Sequence, residues 1–227
     1  MNASSPKLSQ DKHTLAIPGD IADRLGARRY RLLMQWICDV NGAFDAALSA
    51  VITDKTILLD AGCSRGDPDL PAIAKAKCTV GCDTDLAGLR ANTIATGCVA
   101  SPLETLPFRS ESFDVIVCKF VIEHVPTPLE VFREFWRVLR PGGVLAILTP
   151  NRLSLFAFIS AAIPHGVKQA IKSWLFKGHE EDTFRTYYRA NTRWTLNRSM
   201  CEAGFTRERV EMLAGMWAFF IFNTPLA

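Results

Sequence analysis

The chain has 227 residues, 48% hydrophobic and 22% charged, with a formal net charge of +3. These values suit one soluble globular domain with a full core. They argue against a nucleic-acid partner, since Lys and Arg are scattered rather than striped, and no stretch reaches the roughly 18 apolar residues of a membrane span. The seven cysteines (Cys38, Cys63, Cys78, Cys82, Cys98, Cys118 and Cys201) are odd in number and form no CxxC pair, so no metal site and a reduced, cytoplasmic compartment are expected.

Residues 1–18 are polar, lack the apolar core of a signal peptide and read as a disordered arm. From Asp20 to about Ala50 apolar residues recur at near-helical spacing (Ile21, Leu25, Leu32, Leu33, Trp36, Ile37, Val40), with Asn41-Gly42 expected to break the helix. Residues 19–52 are therefore read as a helical cover over a core spanning residues 53–150. Short apolar strands are expected near 56–60, 78–83, 97–100, 113–119 and 143–149, as in a sheet covered on both faces. Between them, Asp67-Pro68 predicts one helix start. Thr84 or Asp85 can cap a second helix from Leu86 to about Thr93, and Thr127 or Pro128 opens a third with a stripe of Leu129, Phe132, Phe135/Trp136 and Leu139. Pro141-Gly142-Gly143 is expected to end that helix and lead into the fifth strand. Such alternation predicts an α/β, Rossmann-like, doubly wound and mostly parallel sheet of seven strands. Residues 151–190 break the rhythm and read as an apolar helical lid inserted after strand five. Residues 191–227 supply a final helix and two closing strands.

The chemistry concentrates in two places. The run Thr56–Asp60 enters the glycine-rich turn Ala61-Gly62-Cys63-Ser64-Arg65-Gly66, and the next strand ends in Asp83. Glycines let a ligand approach the backbone, and a carboxylate at the second strand end can accept from two ribose hydroxyls. The pattern lacks the G-x-G-x-x-G turn of a nicotinamide-dependent oxidoreductase, which is the weaker alternative.

The run from Leu106-Pro107-Phe108 through Phe113-Asp114-Val115 and Glu123-His124-Val125 to Arg137-Val138-Leu139-Arg140-Pro141-Gly142-Gly143 resembles the class I S-adenosylmethionine-dependent methyltransferases. The likeness is greatest to the small-molecule group akin to the ubiquinone-biosynthesis enzymes. Four motifs in the family's order cover residues 56–150, and Tyr187-Tyr188-Arg189-Ala190-Asn191-Thr192 resembles a common ending of the group. The resemblance implies an enzyme that uses S-adenosyl-L-methionine to methylate a small molecule, with oxygen the first guess for the acceptor atom and nitrogen or carbon the others.

By the same resemblance Asp60, Gly62, Cys63, Ser64 and Gly66 would line the methionine end of the cofactor, and Asp83 with Thr84 its ribose. Ser64 stands where the family's turn has glycine, and Pro102 where it often has an acid near the adenine, so Glu104 or the backbone of Leu103 would substitute. Lys119 and Phe120 hold the place where the family's backbone approaches the cofactor. His124 is the base candidate if the acceptor is a hydroxyl, because imidazole titrates near neutrality; the other reading is a structural histidine. Asn151, Tyr187 and Tyr188 are the substrate-side candidates, with His179 behind them. The two departures from the motif also sustain another reading, a non-catalytic relative whose pocket binds a ligand or partner. The apolar lid suits an amphipathic acceptor or peripheral membrane contact aided by Lys168, Lys172 and Lys177; a monomer or homodimer is expected.

Overall fold

The computed structural model describes residues 40–153, 185–213 and 217–225, and for residues 207–213 and 217–220 it describes the backbone. The expected arm, most of the helical cover and residues 154–184 of the expected lid lie outside the described residues.

Seven strands form one sheet: β1 (Ile57–Ala61), β2 (Cys78–Asp83), β3 (Gly97–Ala100), β4 (Phe113–Lys119), β5 (Leu139–Pro150), β6 (Thr206–Leu213) and β7 (Trp217–Asn223). Their spatial order is β3-β2-β1-β4-β5-β7-β6. Strands β1 to β5 pair in parallel, while β7 joins β5 and β6 antiparallel. The described helices are α1 (residues 40–49), α2 (Leu86–Ala91), α3 (Pro128–Val138) and α4 (Arg193–Glu202), with single 3₁₀ turns at Pro71–Lys75 and Ile122–His124.

Continuous apolar strands are explained by a sheet buried on both faces. Side chains alternate across it. Leu59, Ile116, Cys118, Leu145 and Ile147 join α3 and α4 residues such as Phe132, Phe135, Leu196 and Met200 in one cluster. Leu58, Val115, Val117, Ala146 and Leu148 face the other way, onto Phe44 and Leu48 of α1 and Ile73 of the first 3₁₀ turn.

Four expectations are corrected. The helix does not break at Asn41-Gly42: residues 40–49 are continuous, because Val40, Phe44, Ala47 and Leu48 bury one face and the Asn41 amide donates to Asp69 Oδ2 at 2.9 Å. Burial of that face outweighs the weak breaker signal of a single Gly. No α-helix starts at Asp67-Pro68. Asp67 Oδ1 instead accepts from the Asp69 amide at 2.9 Å, which favours a turn, and only the 3₁₀ turn at Pro71–Lys75 follows, with Asp45 Oδ1 accepting from the Ala72 amide. Trp136 is exposed, and Val131 and Val138 complete the buried stripe of α3 in its place. Finally, β5 takes in Pro141-Gly142-Gly143 rather than starting after it, with a register shift opposite Phe113/Val115 and Gly142 at φ 75°. Such a bulge lets a strand bend without ending.

The loop carrying Leu106-Pro107-Phe108 is pinned by α3. Arg137 donates to the carbonyls of Phe108 (2.7 Å) and Leu106 (3.0 Å), and Glu134 accepts from the Leu106 amide at 2.8 Å. Asp114 ties the sheet's centre, accepting from the Ile57 amide and from Arg140.

Candidate active site

All five parallel strands end on the same side, and the loops leaving β1, β2 and β4 meet there. The turn after β1 is built around two left-handed glycines, Gly62 (φ 79°) and Gly66 (φ 83°). The Gly62 amide donates to Cys82 O at 2.7 Å, and a Cβ on Gly62 would overlap the Val121 side chain. Only glycine meets both demands at that position.

Ser64 stands at φ 37°, in the region that usually calls for glycine. The strain is held by its surroundings: its amide donates to Asp83 Oδ2 at 2.8 Å and its hydroxyl to Asp85 Oδ2 at 3.3 Å. Asp83 Oδ1 accepts from the Asp85 amide at 2.9 Å. Each Asp83 oxygen so keeps a further lone pair for a ligand. Asp85, not Thr84, caps α2, accepting from the Ala87 amide at 3.0 Å; Thr84 is exposed on the same loop.

Asp60 is 7% exposed, and no described residue donates a hydrogen bond to its carboxyl. Burial above all, then the carboxylates of Asp67 and Asp83, push it up to about 7 against the pull of Lys119. Lys119 leaves the end of β4, forms an ion pair with Asp67, and lies 5.4 Å from the centroid of the Phe120 ring. Phe120 turns the chain at φ 57°, its amide held by Leu148 O at 2.8 Å. The buried Cys63 thiol is pushed well up, chiefly by burial. Leu103 is buried in the core beside Cys82, so its side chain serves packing, while Glu104 is half-buried.

The second half of the site lies on the 3₁₀ turn Ile122–His124. His124 Nδ1 donates to Arg185 O at 3.2 Å, so that in the neutral ring Nε2 is the acceptor nitrogen. The carbonyl of Glu123 accepts from the Tyr187 (2.7 Å) and Tyr188 (3.2 Å) amides. The Glu123 side chain, 4% exposed, accepts from Thr149 Oγ1 at 3.0 Å, which in turn accepts from the Asn191 amide at 2.6 Å. Burial raises the Glu123 carboxyl above its ordinary range. Tyr188 is held at φ 51° and its phenol is pushed up, first by burial and then by Glu123. The structure therefore brings His124, Tyr187 and Tyr188 together. The Asn151 side chain accepts from the Leu153 amide at 3.0 Å.

Sequence reasoning missed Asp67, Val121, Glu123, Thr149 and Asn191. A carboxylate set between apolar Val121-Ile122 and His124-Val125 was the available signal for Glu123. Nothing in the sequence marked the packing of Val121 on Gly62.

Residues 59–147 match the family model described as a methyltransferase domain. This segment is a methyltransferase domain. Its likeness extends to a probable S-adenosylmethionine-dependent methyltransferase of Mycolicibacterium smegmatis, 39% identical over 101 residues, which is 43% of this chain and 39% of the relative. A ubiquinone biosynthesis O-methyltransferase of Pseudomonas fluorescens is 44% identical over 54 residues, 22% of this chain and 23% of that protein. The matches thus span well under half the length of these curated relatives. The methyltransferase fold is shared with the solved S-adenosylmethionine-dependent methyltransferase of Mesorhizobium loti, with a TM-score of 0.59, 19% identity, and coverage of 81% of this chain and 99% of that one.

S-adenosylmethionine is the cofactor that goes with the methyltransferase domain, and its residues fit it on two counts. Asp60 is a buried carboxyl without a hydrogen-bonding partner among the described residues, beside Asp67 and Asp83, and a cationic group would offset that charge. Asp83 closes β2 beside the turn, and both of its oxygens keep acceptor capacity.

Among the described residues, no helix is long and apolar enough to cross a membrane and no group of His, Cys, Asp and Glu could hold a metal.

Proposed function

We propose that the chain methylates a small, apolar or amphipathic acceptor, at oxygen in the first instance. The observation that carries this reading is the buried Asp60 carboxyl, crowded by Asp67 and Asp83 beside a glycine turn that Asp83 holds. S-adenosylmethionine supplies, when bound, a methyl group already activated by its positive sulfur. Asp83 would hold the ribose hydroxyls, and the turn from Gly62 to Gly66 the amino-acid end. Asp60 offers the negative charge that a cationic ligand needs.

Methyl transfer is an in-line displacement, so what the protein contributes is alignment and the exclusion of water; effective molarities from alignment reach ~10⁵ M or more. If the acceptor is a hydroxyl, its proton must leave. His124 Nε2 is the group suited to take it, with Nδ1–H fixed on Arg185 O. Tyr187 and Tyr188 lie on the segment anchored to Glu123 and would flank the acceptor. The ubiquinone-biosynthesis relatives favour oxygen as the acceptor atom.

Calorimetric titration tests the cofactor half. S-adenosylmethionine and S-adenosylhomocysteine should bind wild type, NADH should not, and Asp83→Ala should weaken the two sulfur nucleosides at least tenfold. Failure of folded wild type to bind either nucleoside would leave the domain without its proposed chemistry. Binding without turnover across a panel of phenols, catechols and amphipathic acids would favour the non-catalytic alternative.

A further inference from the structure

The positive charge at the acceptor end of the site has no part in the reading so far. Residues 185–201 hold four arginines (Arg185, Arg189, Arg193 and Arg198) and no carboxylate. Exposed arginines are ordinarily solvated and need no ligand. Two of these differ, because one aromatic ring gathers them. The Arg185 guanidinium lies 5.0 Å, and that of Arg189 6.0 Å, from the centroid of the Tyr187 ring. Both residues are exposed, and neither forms an ion pair with a described carboxylate. Two like charges at one ring repel, and a cation–π contact at an exposed ring returns only about 0.5–1 kcal/mol.

A second observation ties these charges to the acceptor rather than to the surface at large. The segment that carries them is fixed to the turn holding His124. The Arg185 carbonyl accepts from His124 Nδ1 at 3.2 Å, and the Glu123 carbonyl accepts from the Tyr187 and Tyr188 amides. Tyr188, at φ 51°, then turns the chain between Tyr187 and Arg189. The Glu123 carboxyl is no counter-ion for either guanidinium, being buried and bonded to Thr149 Oγ1. An anion is what this corner lacks.

We propose that Arg185 and Arg189 select an acceptor that bears a carboxylate. The acceptor class thereby narrows to amphipathic hydroxy acids. The hydroxyl lies toward His124 and the carboxylate meets the guanidiniums gathered at Tyr187, whose planar forks match its two oxygens. The inference deepens the acceptor reading given above and rests on it.

The test uses matched pairs in which only the charge changes: 8-(4-hydroxyphenyl)octanoic acid and 12-hydroxydodecanoic acid, each beside its primary amide. Calorimetry on protein saturated with S-adenosylhomocysteine reads binding, and methyl transfer from S-adenosylmethionine reads kcat and KM. At least one acid should bind wild type about tenfold or more tighter than its amide. Arg185→Met and Arg189→Met should each remove most of that preference and change amide binding by less than about twofold. In turnover KM should carry the loss, since the contact holds the acceptor before and during transfer alike. Arg185→Lys should recover the preference only in part, having the charge without the fork. Arg198→Gln takes a charge from α4 instead and should leave the preference intact.

Equal binding of acid and amide by wild type overturns the proposal, as does a preference that survives in Arg185→Met/Arg189→Met; both leave the methyltransferase reading standing. Vesicles of phosphatidylglycerol separate the other source of anions. If the double variant loses adsorption to them and keeps the acid preference, the arginines meet a lipid surface and the proposal falls. Saturation with S-adenosylhomocysteine but no binding of any acid or amide would sink the hydroxy-acid class alone. No binding of S-adenosylhomocysteine itself would take the cofactor reading down first.

Discussion

At Asp60 the chain keeps a proton that an exposed aspartate would have given up. Its carboxyl goes from 3.8 to about 7 on folding, first by burial and then by Asp67 and Asp83. The folded state thus binds this proton more tightly than the unfolded one. The contribution to stability is fully present below pH ~4 and is lost as pH rises through about 7. Without ligand, urea unfolding of wild type should need less denaturant at pH 8 than at pH 6, and Asp60→Asn should flatten the difference. A cationic ligand reverses the preference by favouring the charged carboxylate. Affinity for S-adenosylmethionine should climb over the same interval, by at most about tenfold per pH unit, and Asp60→Asn should remove the climb. Gly62 carries a steric version of the same dependence on its surroundings. Gly62→Ala adds both a left-handed strain of roughly 1–2 kcal/mol and a clash with Val121. Thermal melts should show a loss that Gly62→Ala/Val121→Ala recovers only in part, since the second change removes the clash and leaves the backbone strain.

Among the elements, α3 bears the most load per residue, with Val131, Phe132, Phe135 and Val138 all fully buried on one face. Phe132→Ala should cost about 3–5 kcal/mol in denaturant unfolding, whereas the exposed Trp136 should tolerate polar replacement. The strands β2, β3 and β4 were legible to the residue, because a short apolar run between turn residues has few other ways to bury itself on two faces. Elements whose form depends on distant partners were not. Whether residues 40–49 stay helical is decided by Asp69 and the sheet face they cover, and whether Asp67-Pro68 starts a helix by hydrogen bonds to Asp67. The candidate site divides along the same line. The glycine turn and Asp83 are local in sequence and could be read. Glu123, Thr149 and Asn191 meet from three separate elements and could not.

Across the whole molecule, that buried chain of Glu123, Thr149 and Asn191 links the turn after β4, the end of β5 and the start of α4. Glu123→Ala should leave the Thr149 hydroxyl short of an acceptor and cost about 1–3 kcal/mol. Hydrogen exchange should quicken at Tyr187 and Tyr188 as well as at Ile122–His124, because both segments lean on the same residue. The strand order has a consequence during synthesis. β5 is the seam of the sheet, parallel to β4 on one side and antiparallel to β7 on the other. The β7 side of Val144–Pro150 waits for Trp217–Asn223, which leave the ribosome several seconds later at ~5–20 residues per second. Throughout that interval a nascent chain displays a long apolar strand with one unpaired edge, the shape on which other chains add strands. Ribosome-bound chains stalled between these two strands should therefore recruit chaperones and aggregate on release, and chains long enough to expose Asn223 should do neither.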